Sequence, residues 1–238
     1  MKITIVMPTY NEAENLSKMA ETLFSLPLDD LNLLVIDDNS SDGTGKIADD
    51  LAKKYPDKFS VIHREGKLGL GTAYIRGFQH LLNGDSDVIG QMDADFSHPP
   101  EKVVALAQAL DTSDVAVGSR YIPGGSLDEN WPAWRKGLSS FANFYARTIL
   151  NLPIKDTTGA FRLIKREALQ KIPLDRIRSN GYVFQVELAY LMHKMKLSFK
   201  EIPIYFKERE LGASKMSFGI QIEAALRVWA LLWQYRDL

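Results

Sequence analysis

The chain has 238 residues, 45% hydrophobic and 25% charged, with a formal net charge of −1 and no cysteine. The near-neutral balance excludes the broad basic footprint of a nucleic-acid binder. The missing cysteines exclude a disulfide scaffold, a thiolate metal site and a cysteine nucleophile, which leaves an ordinary globular composition with length for a sizeable core.

The first apolar run, residues 3–7, meets Pro8 too early to supply a signal peptide's apolar region and cleavage site. With the cysteine-free composition this points to a cytoplasmic protein. Short β-branched runs then alternate with helical patterns. Strands are expected at residues 3–7, 33–37, 59–63, 88–93 and 115–119, and helices from about Glu12, after Gly43, from about Gly71 and from Pro99. Such alternation predicts βαβ units, and hence an α/β fold with a mostly parallel, Rossmann-like sheet flanked by helices.

Beyond Tyr121 a Gly- and Pro-containing stretch, 122–132, precedes a helical pattern over about 134–152. A short strand at 160–164, a helix around 184–194 and a strand at 199–206 follow. No linker or repeat divides the chain, so a single domain over 1–238 is expected. The C-terminal pattern, 220–235, is interrupted by Glu223 and Arg227 and falls short of the roughly 18 apolar residues of a spanning helix. It carries Trp229, Trp233 and Tyr235, which suit either a membrane interface or a terminal helix packed on the core.

Ligands of such sheets sit outside the carboxyl ends of the strands. Pro8-Thr9-Tyr10-Asn11-Glu12, Asp37-Asp38-Asn39-Ser40 and Asp93-Ala94-Asp95 follow three of the expected strands, so all fall on one edge. The carboxylates of Asp93 and Asp95, one residue apart, repel unless a cation or hydrogen-bond donors offset them. A hard cation, Mg²⁺ or Mn²⁺, takes one or two carboxylates plus phosphate oxygens, which implies a diphosphate partner; the alternative is a surface turn with solvated carboxylates. His98 beside this loop is a metal ligand or a loop hydrogen-bonder.

Residues 38–43 imitate a calcium loop, but the twelfth place is Asp49 and a strand precedes it, so Ser41 or Asp42 is read as capping the next helix. Gly66-Lys67-Leu68-Gly69-Leu70-Gly71 is neither a Walker A sequence nor G-x-G-x-x-G, since Tyr74 stands where the third glycine belongs. It is a phosphate turn or a tight turn into a helix. Arg135 and Lys136 put two cations at a helix start, which the helix dipole disfavours unless an anion lies near.

Together with Val6-Met7 and Val35-Ile36, the segments Pro8–Glu12, Asp37–Thr44, Gly69–Ala73, Asp93–Pro100 and Gly118-Ser119-Arg120-Tyr121 resemble the inverting glycosyltransferases of family 2, with the GT-A nucleotide-sugar fold. Within that family they resemble the branch that moves mannose from GDP-mannose to a dolichyl or polyprenyl phosphate, from Ile3 to about Ser217. The resemblance implies that Pro8, Tyr10, Glu12 and Asp37 hold the guanosine, and that Asp93, Ala94 and Asp95 bracket ribose, metal and diphosphate with Ser97 near the ion. It implies that Arg209 and Lys215 close on the diphosphate, and that Arg120, Arg135 and Ser139 receive the lipid phosphate. Residues 1–121 would then be the donor half and 122–238 the acceptor half, ending in an amphipathic helix.

Two anionic substrates call for Arg as a planar phosphate partner and Lys as a point charge; for Arg209, between Glu208 and Glu210, a solvated salt-bridge run is the alternative. The lipid would place the enzyme as a peripheral protein on the cytoplasmic face of a membrane, with or without an anchoring subunit. Trp131, Trp134, Phe141, Phe144 and Tyr145 are then interfacial; for Phe141, Phe144 and Tyr145, spaced by three and four, a buried helix face is the alternative. Other readings are a transferase of glucose or another sugar, and a nucleotide-binding module without catalysis, for which the second-half cations have no use.

Overall fold

The computed structural model describes residues 1–208 and 218–238, the side chains of residue 182 and of residues 218–223 excepted. Strands β1 (Ile3–Thr9), β2 (Leu31–Asp37), β3 (Phe59–His63), β4 (Val88–Gln91), β5 (Val115–Ser119), β7 (Arg162–Lys165) and β8 (Phe199–Pro203) form a seven-stranded sheet in the order β3-β2-β1-β4-β7-β5-β8. A separate ribbon pairs β6 (Ser126–Leu127) with β9 (Tyr205–Phe206). Every pairing in the large sheet is parallel except those of β7, which runs antiparallel to both β4 and β5.

The period-2 alternation of each strand assigns its side chains to two cores. Val6, Leu34, Ile36, Ile89, Val115, Val117 and Ile164 enter one. It is closed by α3 (Leu70–Leu82), α5 (Ala133–Leu150), α6 (Arg166–Leu169), α7 (Gly181–Lys194) and α8 (Phe218–Gln234). Ile3, Ile5, Met7, Leu33, Val35 and Ala116 enter the other, under α1 (Leu16–Phe24), α2 (Thr44–Lys54) and α4 (Lys102–Ala109). Both faces are covered, as a mostly parallel sheet requires.

Several boundaries differ from the sequence expectation, and at three of them a local hydrogen bond departs from the regular pattern. The first helix begins at Leu16 rather than near Glu12, because the Glu12 amide donates to Thr44 Oγ1 at 2.9 Å and residues 12–15 form a separate turn. Strand β4 stops at Gln91, and the Asp93 amide turns to His98 Nδ1 at 3.2 Å instead of to a neighbouring strand. The run 199–206 is split: the Ile204 amide still bonds Ser119 O, but its carbonyl accepts from Ser126, which redirects Tyr205 and Phe206 to the ribbon.

Helix α3 lies unusually close to the sheet, and two glycines permit it. A Cβ on Gly77 would collide with the Val6 side chain, and one on Gly71 would lie 2.8 Å from Ser179 O and 2.9 Å from Phe184. Gly77→Ala should lower the thermal midpoint by roughly 3–8 °C through overpacking. Gly137→Ala, where the added methyl meets nothing within 4 Å, should hold or raise it, because alanine is the better helix former; parallel thermal melts compare the two.

Candidate active site

The chain turns from β1 to β2 and β3 on one side and then crosses to β4 on the other, so β1 and β4 flank the point where the winding reverses. In an open α/β sheet ligands bind at such a point, outside the carboxyl ends of the strands. The sequence segments after β1, β2 and β4 meet around it.

On the β2 side Asp37 is buried and accepts from the Thr9 hydroxyl at 3.0 Å, the Ser40 amide at 3.2 Å and the Ser40 hydroxyl at 2.6 Å. Asp38 pairs with Arg64 at 2.7 Å; burial pushes its carboxyl above the ordinary range despite that charge. Arg64 also donates to the Thr72 hydroxyl at 2.6 Å, which ties the glycine turn to β2. Asp42 accepts from the Thr44 amide at 3.0 Å and the Ala13 amide at 3.0 Å, so the calcium-like loop is a hydrogen-bonded lead into α2. Pro8 is half-buried in β1, and Glu12 Oε2 accepts from Asn15 Nδ2 at 2.9 Å. Tyr10 is exposed, with the Lys67 ammonium 3.9 Å above its ring.

After β4, Asp93 accepts from the Tyr74 hydroxyl at 3.1 Å. Asp95 is buried, and its Oδ1 accepts from the Ser97 amide at 3.0 Å and hydroxyl at 2.6 Å, closing a tight turn over Phe96, whose φ is +57°. Ala94 between the carboxylates is buried. His98 stacks on Phe161 with centroids 5.2 Å apart, and burial holds its imidazole below the ordinary pKa. With Nδ1 accepting from the Asp93 amide, it is a loop hydrogen-bonder. The donors offered here, two carboxylates and the Ser97 hydroxyl, are all oxygen and fit Mg²⁺ or Mn²⁺. Among the described residues no group of three or more His, Cys, Asp or Glu forms a protein cage, so an ion here would need ligand oxygens and water to complete its shell.

The second half of the chain brings its cations to the same region through Phe206, whose ring lies 5.5 Å from that of His98 and 5.1 Å from the Arg120 guanidinium. Arg120 is buried and grips Asp156 through Nε at 2.7 Å and Nη2 at 2.6 Å, with Thr158 Oγ1 at 2.8 Å. Burial alone would raise the Asp156 carboxyl, but Arg120 outweighs it and holds it below the ordinary range. The Ser139 hydroxyl bonds that of Tyr121 at 2.7 Å. Arg135 lies 3.8 Å from the Trp131 ring centroid and pairs with Glu208 at 2.9 Å. Arg209 and Lys215 lie outside the described residues.

Four site residues escape the sequence reading: Arg64, Tyr74, Asp156 and Arg162. Arg162 is fully buried, donates to Gln185 O at 3.1 Å and Thr157 O at 3.0 Å, and burial brings its pKa down to about 10. A charged residue inside an apolar strand was the available signal for Arg162, since charges are almost never fully buried without a reason. For Tyr74 it was the place three residues after Gly71, on the buried face of α3.

The aromatics of the second half divide. Trp131 is buried, and the Tyr145 hydroxyl joins α5 to α8, donating to Ala225 O at 3.2 Å and accepting from Trp229 Nε1 at 2.9 Å. Trp134 (70% exposed), Phe141 (59%), Phe144 (58%), Trp229 (52%) and Trp233 (72%) face outward, so one buried helix face does not account for them. Among the described residues no helix is long and apolar enough to cross a membrane.

The Glycosyl transferase family 2 model matches residues 4–173. The chain is 44% identical over 225 residues to a polyprenol monophosphomannose synthase of Mycolicibacterium smegmatis, covering 94% of this chain and 84% of that one. It is 42% identical to an undecaprenyl-phosphate mannosyltransferase of Micrococcus luteus, covering 100% and 98%. Among solved structures, mannosyl-3-phosphoglycerate synthase of Rubrobacter xylanophilus superposes with a TM-score of 0.70 at 15% identity, covering 100% of this chain and 76% of that one, a likeness of the GT-A fold. Matched through most of its length by the family model and by these relatives, the chain belongs to glycosyltransferase family 2.

Proposed function

We propose that the protein transfers mannose from GDP-mannose to a polyprenyl or dolichyl phosphate, inverting the anomeric carbon and releasing GDP. The observation that carries this reading is the meeting of two unlike half-sites. Carboxylates that suit a metal-bound nucleotide diphosphate stand at the carboxyl ends of β2 and β4, and Arg120 and Arg135, each on an aromatic ring, belong to the part of the chain that carries an outward-facing aromatic surface. The identity of 42–44% to enzymes named for mannosyl transfer to polyprenyl phosphates supports the choice of substrates.

In this reading residues 1–121 form the donor half: Pro8, Tyr10, Glu12 and Asp37 hold the guanosine, and Asp93, Ala94, Asp95 and Ser97 receive ribose, diphosphate and a divalent cation. The cation, Mg²⁺ or Mn²⁺, would supply charge neutralisation on the departing diphosphate. Arg209 and Lys215 are assigned to the same diphosphate on the sequence resemblance. Residues 122–238, with Arg120, form the acceptor half.

The acceptor phosphate already carries a nucleophilic oxygen near neutral pH, so the protein's task is positioning rather than proton removal. Arg120 is oriented by Asp156, which fixes the plane of the guanidinium. Arg135 differs: its pair with Glu208 is partly solvated, and such pairs contribute only about 0–1 kcal/mol, so it can exchange Glu208 for an incoming phosphate. Ser139, one turn further along α5, adds a hydroxyl. The oxygen then attacks in line while fixed cations stabilise the leaving group.

The outward aromatics of α5 and α8 give the acceptor half a surface for the headgroup region of a bilayer, which makes the protein peripheral, on the cytoplasmic face, with no need of a spanning segment of its own. A membrane-anchoring subunit is compatible with that face.

The test is transfer of labelled sugar to polyprenyl phosphate in detergent. GDP-mannose with Mg²⁺ or Mn²⁺ should label the lipid and EDTA should abolish the product; labelling from UDP-glucose instead would replace the donor while keeping the reaction class. Arg135→Ala should lower kcat/KM for the lipid by about 10–100-fold, the loss of a charged phosphate contact, while GDP-mannose binding measured by calorimetry stays unchanged. Trp134→Ser combined with Trp233→Ser should weaken co-sedimentation with anionic vesicles by about tenfold or more, since each removes a large apolar side chain from the surface.

A further inference from the structure

The glycine turn that opens α3 has no phosphate partner in the proposed reaction, yet the structure gives it a definite product. Gly71 lets the first turn of α3 press on Ser179 O and the Phe184 ring, and Gly77 lets the next turns press on Val6. Between these two contacts the helix carries Tyr74 into the sheet, fully buried, its ring parallel to that of Phe184 with centroids 5.8 Å apart. The phenol emerges under the β4 loop and donates to Asp93 Oδ1 at 3.1 Å.

This phenol is confined to one role. A tyrosine hydroxyl is protonated near neutral pH and an ionised carboxylate only accepts, so the phenol is the donor of this bond. Asp93 Oδ2 takes no hydrogen bond among the described residues. The backbone of Asp93 is fixed independently by His98. The side-chain torsion of Asp93 therefore depends on Tyr74.

We propose that Tyr74 is a positioning residue for the metal and diphosphate site. By holding Oδ1 of Asp93 it fixes the carboxylate in the orientation that presents Oδ2 to the cation, so that the oxygens need not reorganise when the metal–nucleotide arrives. The inference rests on the reading of Asp93 and Asp95 as the cation site, and it assigns to α3 a part in that site that the glycine motif alone does not reveal.

Tyr74→Phe removes one oxygen and keeps the ring stack. The measurement is Mn²⁺ affinity of the full chain, followed by the electron paramagnetic resonance of free Mn²⁺, with GDP saturating in one series and UDP in another. Metal-free nucleotide binding by calorimetry and thermal melts accompany it. The expected result is a loss of about tenfold in Mn²⁺ affinity, the scale of one charge-assisted hydrogen bond, with metal-free nucleotide affinity and thermal midpoint retained. Equal Mn²⁺ affinity in the two proteins overturns the proposal; so does a loss that appears equally in metal-free binding or only together with a lowered midpoint, which would make Tyr74 a packing residue. Mn²⁺ retention with UDP and not GDP fails the guanine assignment while the Tyr74 comparison is still read in the UDP series. A wild type that holds Mn²⁺ with neither nucleotide overturns the cation site and this inference together.

Discussion

The parallel pairing of β1 with β4, from Ile3 opposite Val88 to Val6 opposite Gln91, is the constraint on which the site depends. The chain winds away from β1 in one direction first and returns to its other side later, so the connections after β1 and β4 leave in opposite directions, the arrangement at which open α/β sheets bind ligands. Everything chemical in the first half stands at that point. Asp37 reaches it from β2, and the Asp93–Asp95 turn reaches it from β4. The register also decides which side chains enter which of the two cores, since a slip of one residue would exchange the faces.

The second half adds charge that the interior must accommodate. Arg120 and Asp156 form a buried, doubly hydrogen-bonded pair, and Arg162 lies fully buried with carbonyl partners. Breaking a buried pair from one side costs about 3–5 kcal/mol, whereas its net contribution to stability is small. Such an arrangement is better suited to fixing geometry than to holding the fold. The partly exposed pair of Arg135 with Glu208 is its counterpart: similar chemistry, but exchangeable, because water already screens it. In the proposed reaction the first would define the place of an entering phosphate and the second would follow it.

Much of this was legible in the sequence because it is local. The strands at 59–63 and 115–119 coincide with β3 and β5, since each is a short β-branched run bounded by turn residues. The carboxylate clusters were legible for the same reason: a polar group directly after an apolar strand has one place to be. What was not legible is long-range. Nothing in residues 162–165 states that the strand runs against its neighbours, because orientation is set by where the chain returns from. Arg120 and Asp156 are separated by 36 residues, and Tyr74 and Asp93 by 19, so neither bond leaves a periodic trace. The aromatics of α5 have helical spacing whether they face a core or solvent, and only the packing, with Tyr145 turned to α8 and Phe141 and Phe144 outward, distinguishes them.

The antiparallel strand has a consequence for how the protein is made. β5 has no place beside β4, because β7 lies between them. A nascent chain that has delivered β5 at residue 119 must therefore wait until residue 165 has emerged before the two parts of the sheet can join. At bacterial or eukaryotic elongation rates this is an interval of roughly 2–10 s, long compared with the folding of most elements. During it the edge of β4, the strand that leads into the Asp93–Asp95 turn, is an unpaired strand edge open to other chains. The topology that unites the two half-sites thus also makes synthesis of the second half the step that protects the first from aggregation.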